Sequence, residues 1–255
     1  MDDEQYCTNT CRLQNLRIST KIPPWELTSI NNIRRRAENS RKTLVGFCDD
    51  EVTPKFPLDV YYIHAPECWE GWHPRCNGIG DTLPLRDAWL GMEAVVGKDN
   101  NAKRIGLSNV WPNQVRDIIQ FVNDRKANYN GEGPPPRMPD VLQAYADPLH
   151  PAEELRNICR EHGIEFVSYS TLGTQHAMRD GSNPVLTNKK INEIAEKHDR
   201  SAAEVVLSWA IQGGMSVIPR STKERHIMEL SSLLSPGEPF LDSQDLSNIG
   251  ALALN

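Results

Sequence analysis

The sequence predicts an α/β fold with a parallel sheet, and two observations lead to that prediction. Six short apolar runs alternate with helix-like stretches along the chain, and each run ends on a polar or charged residue. Alternating strands and helices are typical of a parallel sheet that is covered on both faces. In a TIM-type (β/α)8 barrel, the functional groups lie at the carboxyl ends of the strands. The pattern therefore predicts a fold class and a set of candidate site residues together.

The six apolar runs are two fewer than a closed barrel requires, because such a barrel has eight strands. The chain has 255 residues, close to the size of about 250 residues that is typical of one barrel. We therefore expect a single domain over residues 1–255, an incomplete barrel with about six of the eight strand–helix units. The predicted strands are the runs 16–20, 60–63, 105–107, 141–142, 166–168 and 217–218.

The stretches between the runs contain recognisable helix signals. Apolar spacing predicts a helix over 30–44. Two Ser–Glu pairs have the spacing of capping boxes, in which two side chains satisfy the free N–H groups of a helix start. They are Ser201 with Glu204 and Ser221 with Glu224. Each pair is therefore expected to begin a helix.

Three segments are predicted to lack regular structure. Residues 1–15 have no clear period and are expected to be irregular. Segment 65–83 is rich in Gly, Pro and Trp, and segment 126–140 is rich in Gly and Pro. We expect both to be loop insertions, because strand–helix alternation resumes directly after each of them.

Composition narrows the function classes. The net charge is −6 and the basic residues are dispersed, so nucleic acid is not an expected partner. There is no apolar run of about 18 residues, so no membrane span is expected. The acidic, polar N-terminus lacks the features of a signal peptide, which predicts a cytoplasmic protein. The six cysteines are then expected to be free thiols, and no metal site is predicted.

The segment after the last predicted strand is the best candidate for an anion site. A helix start offers free N–H groups and a positive dipole end, and an Arg side chain can grip a phosphate with two hydrogen bonds. Barrels often bind a phosphate group after their last strands. The alternative is a capped surface helix with solvated charges. The candidate residues are Arg220, Ser221, Thr222, Lys223, Arg225 and His226.

Lys21 and His64 each follow a predicted strand, so their side chains are expected at one mouth of the sheet. A Lys beside a His can polarise a carbonyl or assist proton transfer. The alternative for each is a solvated residue at a strand end.

Uncharged polar residues follow the next two predicted strands, namely Ser108 and Asn109 and then Gln143. Their donors and acceptors suit a ligand that carries an amide, although turn formation is an alternative for the Ser-Asn pair. Tyr169 ends the next strand and can stack on a ligand ring or belong to the core.

Six motifs in consistent order resemble those of the aldo-keto reductase family. The strand motifs are ISTKI, LDVYYIHAPE, NAKRIGLSNV, DVLQAYADPLHP, GIEFVSYSTLG and GGMSVIPRSTKERHI. In that family they carry, respectively, the catalytic Lys, the catalytic His, a Ser-Asn pair, a Gln, a Tyr-Ser segment and a cofactor loop. The resemblance runs from about residue 16 to residue 248.

This resemblance implies a (β/α)8 barrel that binds NADPH at the strand ends. Lys21 and His64 would be two members of a catalytic tetrad of Asp, Tyr, Lys and His, and Tyr6 is the candidate for the Tyr. Independently of the resemblance, the position of Trp69 and Trp72 in the long loop is consistent with an apolar substrate pocket, and packing within the loop is the alternative for each. The residues that the resemblance assigns to NADP(H) are Ser108, Asn109, Gln143, Tyr169, Ser170, Leu172, Thr174, Arg220, Ser221, Thr222, Arg225 and His226.

The implied function is NADPH-dependent reduction of a small aldehyde or ketone to an alcohol by hydride transfer. The alternative is a catalytically impaired NADP-binding pseudoenzyme or an interaction protein, because only 20 residues precede Lys21 and the family's Asp and Tyr lie upstream of the Lys. Six strands would leave two open sheet edges, through which copies of the chain could associate.

Overall fold

The computed structural model describes residues 16–45, 56–77, 80–233 and 239–254 of the chain. Tyr6 and the rest of segment 1–15, which we expected to be irregular, lie outside the described residues. The same holds for Cys7, Cys11 and Cys48.

The described residues form one sheet of six strands in sequential order, β1-β2-β3-β4-β5-β6. Parallel pairing joins β1 to β2, β2 to β3, and β5 to β6. The predicted α/β class and the count of six strands are confirmed. The strands are β1 (Ser19–Ile22), β2 (Leu58–Ile63), β3 (Ala102–Ser108), β4 (Val141–Tyr145), β5 (Glu165–Tyr169) and β6 (Ser216–Val217).

Four predicted site residues belong to strands that we expected to end before them. Lys21 lies inside β1 and Gln143 lies inside β4, while Ser108 and Tyr169 are the last residues of β3 and β5. The cause is that strand boundaries follow backbone pairing, which can continue past the last apolar side chain. His64 does follow its strand directly, as predicted.

Helices alternate with the strands. Within the described residues they are α1 (Ile30–Val45), α2 (Leu85–Val96), α3 (Pro112–Ala127), α4 (Glu153–His162), α5 (Thr174–Asp180), α6 (Lys189–His198), α7 (Ala202–Gln212), α8 (Glu224–Ser232) and α9 (Ser243–Gly250). No helix in this part of the chain is both long enough and apolar enough to cross a membrane.

One of the two predicted capping boxes is confirmed. Ser201 accepts a hydrogen bond from the backbone N–H of Glu204, whose carboxylate accepts from the N–H of Ser201, and α7 begins there. The Ser221–Glu224 prediction is wrong. α8 begins at Glu224, and the Ser221 hydroxyl instead accepts from the N–H of Lys223 in a local turn.

Two compact units divide the chain, Met1–Leu142 and Gln143–Asn255. The core of the first unit contains Trp89 and Ile33, which lie on α2 and α1 and are fully buried. α1 and α2 approach closely at Gly91, where an added Cβ would lie 2.9 Å from the Ile33 side chain. The single-domain prediction over 1–255 stays a prediction.

The second unit has its own core, to which α6 and α7 contribute apolar residues. Ile191 of α6 and Val205 and Val206 of α7 are completely buried. The α4 helix ends at Gly163, which has a left-handed φ of 66° that glycine adopts without steric cost. These elements support the strand ends and loops that carry the candidate site of this unit.

Candidate active site and cofactor cavity

In the first unit, parallel pairing of β1 with β2 places Lys21 and His64 at the ends of neighbouring strands. Lys21 lies opposite Tyr62 in the register, and the backbone N–H of His64 donates to the carbonyl of Ile22 at 2.9 Å. The Lys21 ammonium lies 5.6 Å from the centre of the Tyr62 ring. The predicted juxtaposition of a Lys and a His is therefore present.

Burial and mutual repulsion act on the protonation of this pair. Burial lowers the pKa of Lys21. Burial also lowers the pKa of His64, and the positive charge of Lys21 lowers it further. Since an unperturbed imidazole titrates near about pH 6.5, His64 is neutral at pH 7. A neutral imidazole beside an ammonium group can donate a hydrogen bond to a carbonyl oxygen.

The predicted Ser-Asn pair contacts the same strand end. The Asn109 amide donates to the backbone carbonyl of His64 at 2.9 Å and lies 3.2 Å from the Ser108 hydroxyl. Asn109 has a left-handed φ of 55°, which Asn tolerates better than most residues, and Ser108 is fully buried. These bonds hold the end of β3 against the end of β2 beside the Lys–His pair.

Segment 65–83, predicted as a loop, carries an aromatic cluster against His64. Trp72 and His64 form a T-shaped pair with a centroid distance of 5.1 Å, and the Trp69 ring lies 5.3 Å from the Trp72 ring. Trp25 lies 6.2 Å from Trp72 and stacks on His73 at 4.4 Å. We call these four residues, Trp25, Trp69, Trp72 and His73, the aromatic wall.

Two members of the aromatic wall, Trp25 and His73, were missed by the sequence analysis. Trp25 follows β1 in a short 3-10 turn, Pro24–Glu26, and nothing in its local sequence distinguishes it from a core residue. Its indole N–H is buried and has no hydrogen-bond partner among the described residues. Only its spatial neighbours in the distant loop identify it.

The expectation of six free thiols is wrong for two cysteines of this loop. Cys68 and Cys76 form a disulfide, with their Cα atoms 5.4 Å apart. The loop turns back on itself through the 3-10 turn Pro74–Cys76, which brings the two side chains together. Cys159 is a free, buried thiol, and burial raises its pKa to about 12.

The second unit contains a cavity of about 560 Å³ that collects most of the predicted cofactor residues. Its volume lies within the usual range of about 300–1,000 Å³ for ligand pockets. The predicted residues that line it are Tyr169, Ser170, Leu172, Thr174, Arg220, Ser221, Thr222 and His226. The lining residues that were not among the predicted cofactor residues are Thr171, Leu207, Ile218, Pro219 and Lys223.

One wall of the cavity is the segment 170–174, whose backbone is held by side-chain contacts. The Asn183 amide donates to the carbonyl of Leu172 at 2.9 Å, and its oxygen accepts from the N–H of Leu186. Gly173 has a φ of 83° and packs so closely on Asn183 that a Cβ at this position would overlap it. The buried Thr171 and Ser168 hydroxyls are hydrogen-bonded to each other beneath the segment. The wall is therefore fixed before any ligand binds.

The opposite wall is basic. Among the described residues, neither Arg220 nor Lys223 forms a salt bridge, and both side chains are exposed at the cavity. His226 also lines the cavity and lies 3.4 Å from the Ser221 hydroxyl. Arg225 differs, because it pairs with Glu229 and does not line the cavity. Two cations without carboxylate partners beside a fixed pocket fit a phosphate-bearing ligand.

Gln143 lies in the same unit and is almost completely buried within β4. Close to it in sequence is a polar cluster that the sequence analysis missed. The fully buried Asp147 accepts a hydrogen bond from the Tyr145 hydroxyl and contacts the His176 Nε2 at 3.0 Å. It also accepts from the backbone N–H groups of Leu149 and His150. Burial and the Asp147 carboxylate raise the pKa of Tyr145.

The sequence model described as the Aldo/keto reductase family matches residues 8–249 of this chain. The chain belongs to the aldo/keto reductase family. Membership explains the order in which the Lys, His, Ser-Asn, Gln and Tyr-Ser residues follow one another on successive strands.

Individual relatives agree with this assignment. The chain is 31% identical over 180 residues to aldo-keto reductase family 1 member A1 of Sus scrofa, covering 68% of this chain and 51% of that protein. The protein of the same name from Xenopus tropicalis is 29% identical over 206 residues, with coverages of 78% and 58%. The chain thus spans about half the length of the curated relatives it matches.

Solved structures of aldo-keto reductases share the fold. The structure from the silkworm Bombyx mori superposes with a TM-score of 0.72 at 20% identity, covering 98% of this chain and 67% of that one. An aldo/keto reductase structure from Brucella melitensis gives a TM-score of 0.64 at 22% identity, with coverages of 92% and 72%. At these identities the likeness concerns the fold alone.

Proposed function

We propose that this chain is an NADPH-dependent oxidoreductase that reduces an aldehyde or ketone to an alcohol. The observation that carries the proposal is the cavity of the second unit, which has one rigid polar wall and one wall with two cations that lack carboxylate partners. A ligand that carries phosphate groups would pair with the two cations, and its hydrogen-bonding groups would contact the polar wall. Family membership makes NADP(H) the chemically consistent choice.

Each group of residues has its own part in holding the cofactor. By the family resemblance, Ser170, Leu172 and Thr174 would flank the pyrophosphate, and Tyr169 would stack on the nicotinamide ring. The resemblance assigns Ser108, Asn109 and Gln143 to the carboxamide, for which their mixed donors and acceptors are suited. Arg220, Ser221 and Thr222 would bind the 2′-phosphate, with Arg225 and His226 beside them. Recognition of the 2′-phosphate would make the protein prefer NADPH to NADH.

Lys21 and His64 act on the carbonyl group. When bound, NADPH supplies the hydride that reduces the carbonyl carbon. The neutral imidazole of His64 donates a hydrogen bond to the carbonyl oxygen and orients it. The Lys21 ammonium stabilises the negative charge that develops on that oxygen, and desolvation of the site strengthens the interaction.

Tyr6 is our candidate for the general acid that protonates the oxygen. A general acid typically contributes about 10²- to 10⁴-fold to the rate. If Tyr6 does not act in this way, the same chemistry proceeds slowly, or the chain binds NADPH without turnover.

The aromatic wall suggests the character of the substrate. Trp72 contacts the His64 ring, and Trp69 extends the apolar surface. A substrate whose carbonyl oxygen is hydrogen-bonded to His64 would therefore place its organic group against these two indole rings. An aryl or alkyl aldehyde fits such a surface better than a charged one does. We further propose that the protein works in the cytoplasm.

A second candidate function is that of an NADP-binding pseudoenzyme that associates with itself or with another protein. β1 and β6 are the end strands of the sheet within the described residues, and unpaired strand edges can bind another chain. A stable oligomer that binds NADPH without turnover would favour this function. A monomer that reduces aldehydes would exclude it.

The test is NADPH oxidation in the presence of a panel of aromatic and aliphatic aldehydes. We expect turnover by the wild type, and a loss of roughly 10²-fold or more in Lys21→Met and in His64→Gln. Lys189→Met, which removes an exposed lysine of α6, is the matched control and should keep the wild-type rate. The absence of turnover over the whole panel, with NADPH still bound, would reject the reductase and favour the pseudoenzyme.

A further inference from the structure

The disulfide between Cys68 and Cys76 encloses three of the four residues of the aromatic wall beside His64. Trp69, Trp72 and His73 all lie between the two cysteines in sequence. Trp72 contacts His64 directly, and His73 stacks on Trp25. Any change in the shape of this closed segment therefore moves the rings nearest to His64.

The backbone hydrogen bonds of the segment 66–77 are local. Within the described part of the chain, its backbone N–H groups donate only to residues two or three positions earlier, such as Trp72 to Trp69 and Cys76 to His73. Its ring contacts with more distant residues join Trp72 to His64, and Trp72 and His73 to Trp25. The covalent bond thus supplies a constraint on the loop that local hydrogen bonds do not.

The bond is open to attack from solvent. Both cysteines are partly exposed, and of their four neighbours in sequence Glu67, Arg75 and Asn77 are exposed while Trp69 is half-buried. Cys159 offers the contrast, because it is fully buried and its raised pKa keeps it a thiol. Exposed disulfides are generally more easily reduced than buried structural ones.

We propose that Cys68 and Cys76 are a reversible disulfide/dithiol pair that controls the position of the Trp69–Trp72 face of the aromatic wall. The disulfide form holds Trp72 against His64, and the dithiol form releases it. As a consequence that rests on the proposed reductase function, the KM for the carbonyl substrate depends on the redox state of the protein. The pair is a modification site that reports whether its surroundings are oxidising or reducing.

The chemistry is thiol–disulfide exchange with an external dithiol. A thiolate of the dithiol attacks one cysteine sulfur, which breaks the protein S–S bond and forms a mixed disulfide. The second thiol of the reagent then displaces the cysteine. The products are two cysteine thiols and the oxidised reagent, so two electrons and two protons pass from the reagent to the protein.

The first test measures the bond itself. Wild-type protein is equilibrated with mixtures of reduced and oxidised dithiothreitol, and its free thiols are then alkylated. Mass spectrometry of the peptide that contains residues 68–76 measures how many of its two cysteines carry the alkyl group. We expect Cys68 and Cys76 to become alkylated together in a single reversible transition. A pair that never forms the bond under oxidant, or that stays bonded in excess reductant, would overturn the proposal.

The second test measures movement of the rings without using activity. Tryptophan fluorescence of the wild type should change reversibly between the two redox forms. Cys68→Ser/Cys76→Ser should give the reduced-form spectrum in both buffers, and Cys159→Ser should behave like the wild type. Identical spectra for the oxidised and reduced wild type would contradict a movement of the wall, whether or not the double variant folds.

The third test measures the consequence for the substrate. We expect the aldehyde KM to rise by about three- to tenfold on reduction, with kcat changed less than about twofold, because ordering a binding loop mainly affects affinity. A KM that is the same in both forms, with the bond shown to open, would contradict control of the substrate site. If no aldehyde is reduced while the first two tests give the expected results, the proposed reductase function is rejected, and the proposal that Cys68 and Cys76 form a reversible redox pair is retained.

Discussion

His64 shows how one residue depends on its surroundings. His64 directly follows β2, Lys21 lies on the neighbouring strand β1, and Trp72 packs against the His64 ring in a T-shaped arrangement. Burial and the Lys21 charge both favour its neutral form. An ordinary surface histidine would instead be partly protonated near pH 6.5.

The lowered pKa of His64 predicts the pH dependence of catalysis. We expect kcat/KM for aldehyde reduction to change little with pH around pH 7, where His64 is neutral, and to fall below pH 6.5 as the imidazole becomes protonated. His64→Gln should be slower and should lack this decrease at low pH. A wild-type decrease centred at or above about pH 6.5 would contradict the neutral imidazole.

The same residue predicts a pH dependence of stability. Above about pH 6.5 the imidazole is neutral in both the folded and the unfolded state, so it has no effect there. Below that pH the unfolded state binds the proton first, so the free energy of unfolding decreases as the pH falls from about 6.5 toward the lowered folded-state pKa, and the decrease ends below it, where both states are protonated. Urea unfolding at several pH values should show that His64→Gln loses less stability over this range than the wild type does.

At the level of elements, β2 and β3 depend on the absence of a side chain at Gly106. A Cβ there would lie 2.6 Å from both the Tyr62 ring and the carbonyl oxygen of Val141. We expect Gly106→Ala to lower the free energy of unfolding by about 1–3 kcal/mol, as overpacking does elsewhere. Gly250→Ala in α9 is the matched control, because its Cβ would meet nothing within 4 Å. Equal stabilities in urea unfolding would refute this packing argument.

The Asp147 cluster anchors α5 to the turn that follows β4. Asp147→Ala would remove the acceptor for Tyr145, Leu149 and His150 and the partner of His176. Since each buried polar group left unsatisfied costs about 1–3 kcal/mol, we expect a loss of at least about 2 kcal/mol in unfolding experiments. Asp81→Ala, at an exposed position, should be neutral. A neutral Asp147→Ala would mean that water replaces the carboxylate.

Elements with strong local signals were predictable, and those that depend on distant contacts were not. The Ser201–Glu204 box was found because a capping box is a local pattern, whereas the Ser221–Glu224 spacing failed because Ser221 caps a turn instead. Trp25 and His73 form their stack across a long stretch of sequence, which no local period encodes. The Cys68–Cys76 bond was missed because the expected compartment argued against any disulfide.

At the scale of the whole molecule, the alternation of apolar runs and helices was sufficient to predict the fold class and the six strands. The motif order was sufficient to predict the family. The roles of the individual site residues stay predictions. The sequence identified eight residues that now line one cavity, but it also included Arg225, which pairs with Glu229 outside the lining.

Cofactor binding should stabilise the whole chain. A ligand that binds only the folded state at 100 times its Kd adds about 2.7 kcal/mol to the free energy of unfolding. We therefore expect saturating NADPH to raise the Tm in a thermal-shift experiment, and NADH at the same concentration to raise it less. Equal shifts with the two nucleotides would contradict recognition of the 2′-phosphate.

The most direct test of the central claim is an NADPH fluorescence titration of the wild type, Arg220→Ala and Arg160→Ala. Arg160 is an exposed arginine of α4 that does not line the cavity, so its variant controls for the change in net charge. A charge-assisted phosphate contact is worth about 1.5–3 kcal/mol, so we predict that Arg220→Ala raises the Kd about 10- to 100-fold. Arg160→Ala should remain within about twofold of the wild type. A wild type that does not bind NADPH, or three equal Kd values, would contradict the assignment of this cavity to the cofactor.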